Sequence, residues 1–353
     1  MNYKETLFFV GKSLTVNLEK KNREEIELIL KTTKIDWESV VKLSTGHYVL
    51  PTIYCNFKRA NLLKYLPSDL LNYMKNITDL NRKRNKQILK QAQGLNRLLL
   101  DNNITPIFLK GTANLLAGLY NDIGERMVGD IDFIFSKQDY TRAIILLKNN
   151  GYSYVVKTDN IYPQFRHYQR LKIANAIAAI EIHKELLSEN YADEFNYIFV
   201  KKDNQLLNGF FVLSYANKLC MSIISHQIND NGYYYKTIPL RNAYDVFLLS
   251  KKTIASEAIN EFDKLSIPLN CFLATCNEVF NNVDSLKYNK STKTTSYLSI
   301  FHSQFSDPKK TKKNHSRVKF FLRLKLRVFF LCKCLYRREY RSYLFKRILE
   351  KFW

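Results

Sequence analysis

Cysteine patterns, long apolar runs and acidic residues are all scarce in this 353-residue chain, and each scarcity excludes something. The six cysteines stand at 55, 220, 271, 276, 332 and 334, with no C-x-x-C and no His pair to complete a zinc pattern. They read as buried thiols in a reducing compartment. The apolar run Leu7-Phe8-Phe9-Val10 is too short for a signal peptide and is followed by Lys12. No uncharged apolar run approaches the ~20 residues that a bilayer-spanning helix needs. A cytoplasmic protein without a transmembrane helix is therefore expected. The third scarcity is acid: 32 Asp and Glu stand against 55 Lys and Arg, a formal charge of +23. Such an excess favours polyanionic partners, either nucleic acid or an anionic membrane surface. The rest is ordinary for a globular protein, with 46% hydrophobic and 25% charged residues. The length gives one large domain or two.

One stretch, Thr105 to Phe135, concentrates the chemistry. Ile107, Phe108 and Leu109 form a short apolar run that ends in Lys110-Gly111-Thr112. Ala113, Leu116, Ala117 and Tyr120 follow at helical spacing. A polar loop with Gly124, Glu125, Arg126 and Gly129 leads to Asp130-Ile131-Asp132 and then Phe133, Ile134 and Phe135. The last run reads as a buried strand, on which Asp130 and Asp132 share a face while Ile131 points to the core. Two adjacent carboxylates repel each other unless a cation lies between them. Mg²⁺ suits one or two carboxylates plus substrate phosphates. A turn-capping Asp beside a solvated one is the plainer alternative. Lys110 and Arg126 add positive charge, and a Gly at a strand-to-helix junction lets backbone approach a phosphate.

Around this stretch the periodicity is mainly helical. Residues 1–104 read as a helical N-terminal region, with helices at Glu24–Leu30, from Trp37, and from Ser68 to Asn102, and breaks at Pro51 and Pro67. Arg82, Lys83, Arg84, Lys86 and Lys90 give the longest helix a basic face, read as solvated or substrate-facing. Lys137–Asn150 reads as a helix stopped by Gly151, and 152–156 and 166–173 as strands. In Ile180-Glu181-Ile182-His183 an acid sits between isoleucines in a strand-like run, where burial without a partner is costly. His183 shares the face of Glu181 and either orients a ligand or is a hydrogen-bonded structural residue. Gly209–Ile228 and Ile238–Ser250 read as helices, the latter carrying Arg241, Tyr244 and Asp245 as fold-holding residues.

The elements Leu109-Lys110-Gly111, Tyr120, Arg126 and Asp130-Ile131-Asp132 together resemble an uncharacterised bacterial nucleotidyltransferase family of the DNA polymerase beta-like superfamily. The superfamily's Gly-Ser pair is only approximated by Gly111-Thr112. The resemblance implies an α/β (α+β) fold in which a small mixed sheet is flanked by helical N- and C-terminal regions. It divides the chain into a core at 105–200, a helical region at 201–307 and a tail at 308–353. It implies Mg²⁺ or Mn²⁺ held by Asp130, Asp132 and a third acid from a later strand, a position that Glu181 matches. In such two-metal sites the ions lie about 3.5–4 Å apart. Lys110, Gly111, Thr112 and Arg126 would bind the nucleotide. The implied reaction is transfer of a nucleotidyl group from an NTP to an acceptor left open: an RNA or tRNA end, a protein hydroxyl or a small molecule. The alternative is a non-catalytic accessory protein of the same fold, acting at a membrane surface or in polysaccharide biosynthesis.

The tail carries sixteen Lys or Arg against two Glu, +14 of the chain's +23. Lys319, Arg323, Arg327, Lys333, Arg337 and Arg341 follow one side of a helix, and Leu324, Val328, Leu331 and Leu335 lie away from it. Phe320, Phe321, Phe329, Phe330 and Trp353 are interspersed. Such a segment lies on an anionic membrane, grips nucleic acid, or packs on its own domain. The aromatic content favours a membrane or other surface.

Overall fold

In the computed structural model, residues 1–157, 162–163, 166–188 and 190–352 are described; Trp353 lies outside them. The strand-like runs assemble into one mixed seven-stranded sheet of order β3-β4-β5-β2-β1-β7-β6. Its members are β1 (Ile107–Leu109), β2 (Ile131–Ile134), β3 (Ser153–Tyr154), β4 (Leu171–Lys172), β5 (Ile180–His183), β6 (Asn204–Leu207) and β7 (Phe210–Leu213). β2 runs antiparallel to β1 and parallel to β5, and β1 runs parallel to β7. With helices before, between and after the strands, this is an α/β fold. Phe108 meets Phe133 and Phe210 edge-on at 5.7 and 5.5 Å between ring centres. Such pairs contribute about 0.5–1.5 kcal/mol each beyond their burial, and they fix the centre of the sheet on the face away from the carboxylates.

The sheet is larger than the sequence suggests. Gly209–Ile228 reads as one helix, yet Phe210–Leu213 is a strand, and the helix spans only Tyr215–Ile224. The run Phe-Phe-Val-Leu is apolar at every position, so periodicity alone does not separate strand from helix. Pairing with β1 decides it. The reading at 166–173 also shrinks, to the two residues of β4.

The helical regions interlock around this sheet. Pro67 caps the 33-residue helix Ser68–Leu100, and Pro51 sits in the first turn of Leu50–Arg59, where its missing N–H is harmless. Asn22, near the N-terminus, donates its side-chain amide to the Phe280 carbonyl at 2.9 Å. Leu14, Phe57, Phe247 and Phe280 belong to one core with the strand residues. Beyond it, the tail forms two helices, Pro308–Tyr336 and Arg338–Phe352, and no described helix is long and apolar enough to cross a membrane. No cysteines are paired among the described residues; five are buried, and Cys332 is exposed, against the reading of all six as buried.

Candidate metal and nucleotide site

Strand register builds the site. Asp132 on β2 lies directly beside Glu181 on β5, and Leu109 at the end of β1 pairs with Asp132 from the other side. The next residue, Lys110, has φ +54, in the left-handed region that non-glycine residues rarely occupy. There the chain turns from β1 into the helix Lys110–Leu116. The Lys110 amine lies between the carboxylates, 2.6 Å from Asp132 Oδ1 and 3.5 Å from Glu181 Oε2. His183, two residues along from Glu181, places Nε2 2.9 Å from Asp132 Oδ1.

The electrostatics follow from burial and spacing. Burial alone would raise the Asp132 carboxyl, but Lys110 and His183 outweigh it and hold it below the usual range. Glu181 is pushed up to about 7 by burial and by the Asp132 charge, with Lys110 opposing. Burial lowers His183 to about 4, so its ring is neutral at pH 7. The neutral ring donates from Nε2 to Asp132, which leaves Nδ1 buried without a hydrogen-bond partner. His183 is thus hydrogen-bonded to Asp132.

Asp130 stands just before β2. Thr112 is buried, and its hydroxyl donates to the Asp130 carbonyl at 2.9 Å. The Asp130 carboxylate lies 3.6 Å from Arg170, which also reaches Glu181 at 3.5 Å. Among the described residues, the donors that converge within 4.8 Å of one another are those of Asp132, Glu181 and His183. Asp130 flanks that group. Two adjacent carboxylates, one raised by burial and by its neighbour's charge, form a donor set whose chemistry fits a divalent cation. Lys110 supplies a single charge in the same place.

These groups line one cleft of about 310 Å³, with Lys110, Gly111, Arg126, Arg166 and Arg241 around the acids. A Cβ on Gly111 would meet Val128 at 3.1 Å and the Arg126 guanidinium at 3.4 Å, so a larger residue would crowd this wall. Arg126 borders the cleft but is buried, with its guanidinium 2.8–3.1 Å from the Asp245 carboxylate and 2.7 Å from the Met127 carbonyl. Tyr120 donates to the same Asp245 at 2.7 Å. Two spaced residues of the sequence pattern therefore converge on an aspartate read only as fold-holding.

The loop between them hangs from the long helix. Asn85 donates to the Ile123 and Arg126 carbonyls at 2.6 and 2.7 Å, and Asn81 to Gly124 at 2.8 Å. Arg82 forks onto Asp122 at 2.6 and 2.9 Å, and Arg84 reaches the Gly129 carbonyl at 3.3 Å. Part of the basic face is thus a clamp on the loop that delivers Asp130 and Asp132.

Arg166, Arg170, Arg241 and Asp230 are site residues that no local pattern singled out. Only Arg241 offered a signal, four residues before Asp245 on one helix. A second cavity of about 460 Å³ adjoins the first and shares Arg166 and Asn229 with it. Tyr191, Tyr233, Tyr234, Lys264, Lys325 and Phe329 help line it, and none of its lining residues is Asp or Glu. Between the cavities the helix that starts at Tyr215 widens into a π-helical turn, Ser225–Asn229, a form frequent at functional sites.

A mixed sheet whose neighbouring strands present paired acids to a cleft lined by Lys and Arg defines an α/β protein. Its family is more specific: the chain belongs to a family described as uncharacterised nucleotidyltransferase, matched over residues 33–278. The match ends before the basic tail. No curated protein matches the chain. A solved structure described as JHP933 from Helicobacter pylori is similar at 13% identity, covering 68% of this chain and 97% of that one with a TM-score of 0.29. That likeness is too slight to bear on function.

Proposed function

We propose that this protein transfers a nucleotidyl group from an NTP to an acceptor hydroxyl. The observation that carries the reading is Asp132 and Glu181, side by side on parallel strands, facing a cleft with Lys110 at their carboxylates. Family membership supports it. Asp132 and Glu181 would hold Mg²⁺ or Mn²⁺, with Asp130 at the rim. When bound, such an ion neutralises phosphate charge and lowers the pKa of a nearby hydroxyl.

The chain's own residues do the rest. His183 keeps Asp132 in place. Lys110, no longer needed between the acids, is the nearest cation for the triphosphate, and Gly111 keeps that wall of the cleft low. Arg126 is tied to Asp245, so it contributes mainly shape, while Arg166 and Arg241 add charge. The acceptor oxygen bonds to the α-phosphorus, the bond from that phosphorus to the pyrophosphate oxygen breaks, and pyrophosphate leaves with the electron pair. Glu181 would take the hydroxyl proton where it does not serve as an ion ligand. The adjoining cavity, rich in Tyr and cations and without acids, suits an anionic acceptor.

The test is incubation with each α-labelled NTP and Mg²⁺, with and without total RNA, protein and small-molecule extracts. The reading expects label to enter one fraction with wild type and none with Asp132→Asn. If wild type labels nothing and binds no NTP, the chain is a non-catalytic member of its fold.

A further inference from the structure

The helix Pro308–Tyr336 turns one face inward. Half-buried Leu322 and Phe329 line the larger cavity, with exposed Lys325 and Leu326 at its mouth, Phe330 packs against Tyr340 at 5.7 Å between ring centres, and Cys334 is buried. The other face is uncovered. Phe320, Phe321, Leu324, Val328, Leu331 and Leu335 are between 46% and 82% exposed. At about 100° per residue they fall within an arc of about 100°, a continuous apolar stripe some four turns long. Lys319, Arg323 and Arg327, all exposed, run along one edge of it, and Lys309, Lys310, Lys312 and Lys313 crowd the first turns. Single exposed apolar side chains are ordinary; six in one stripe mark a contact surface.

We propose that this stripe docks the protein on an anionic lipid bilayer, with the helix lying in the plane of the interface. The apolar side chains would enter the acyl boundary, and the flanking Lys and Arg would meet anionic headgroups. Two rival occupants fit less well. A nucleic-acid backbone pairs with the cations but has nothing to set against six Phe, Leu and Val side chains. A second copy would have to bring together two chains of +23, each with Lys319, Arg323 and Arg327 along the edge of the seam. The inference does not rest on nucleotidyl transfer, and its test needs no NTP.

The test is co-sedimentation of the full chain with vesicles of phosphatidylcholine alone or of phosphatidylcholine with phosphatidylglycerol. Wild type should partition at least about thirtyfold more strongly onto the anionic vesicles, as only two basic contacts would produce. Leu324→Glu/Leu331→Glu should lose that binding while melting at the wild-type temperature. Leu28→Glu, at an exposed leucine elsewhere, should bind as wild type does. The proposal is overturned if wild type stays in solution with anionic vesicles, or if the double variant binds them unchanged. It is also overturned if the double variant converts a dimer to a monomer without altering vesicle binding, or loses affinity for RNA and not for lipid.

Discussion

At the scale of single residues, charge burial decides most outcomes. Lys110 relieves the repulsion between Asp132 and Glu181, so Lys110→Ala should lower the melting temperature without metal, and added Mg²⁺ should recover much of the loss. NTP affinity should fall by about tenfold, the effect of one lost charged hydrogen bond; unchanged affinity, measured by calorimetry, would remove Lys110 from the nucleotide site. Asp245 is different in kind. Asp245→Ala leaves the buried Arg126 guanidinium uncompensated, which costs about 3–5 kcal/mol and is read from urea unfolding. Lys218 is a buried lysine whose ammonium lacks a hydrogen-bond partner, and burial lowers it to about 8. Its folded value lies below its unfolded one, so the unfolded chain binds more protons between them, and stability rises as pH climbs from about 8 to 10. Lys218→Met should remove that rise and stabilise the protein at pH 7 by up to about 3 kcal/mol. Parallel pH slopes for the two proteins would contradict this.

At the scale of elements, the long helix Ser68–Leu100 acts as the frame for the loop that leads into Asp130. Asn85→Ala would strand the Ile123 and Arg126 carbonyls, at about 1–3 kcal/mol for each buried group left unpaired. It should also weaken metal binding, because the loop it holds leads directly into Asp130. Isothermal titration with Mn²⁺ checks the second effect; a variant that is less stable but binds metal normally would separate the clamp from the site. This scale also shows what the sequence could and could not reveal. Asp130, Asp132, Glu181, Lys110, Gly111 and Arg126 were legible because period-2 alternation and a spaced pattern mark them, and they do line one cleft. β7 was not legible, since a wholly apolar run carries no period. Nor was the clamp: Asn81 and Asn85 look like ordinary helix-surface amides until a loop from 40 residues away lies across them. Arg166 and Arg170 reach the site through tertiary placement alone.

At the scale of the whole molecule, two functions of charge are separated in space. The acids gather at the centre of the sheet, while much of the +23 lies beyond residue 307, outside the span matched to the family. The tail's inner face helps wall the larger cavity and its outer face is open, so one helix touches both that cavity and the surroundings. The central claim, however, is that Asp132 and Glu181 form a divalent-ion site for NTP chemistry. The most direct measurement is Mn²⁺ binding to the full chain, followed by electron paramagnetic resonance, with and without a non-hydrolysable NTP analogue. The account predicts that wild type binds Mn²⁺, that the analogue tightens binding and alters the spectrum, and that Asp132→Asn and Glu181→Gln each abolish both effects while remaining folded. Mn²⁺ binding that survives both substitutions, or is indifferent to the nucleotide, would contradict it.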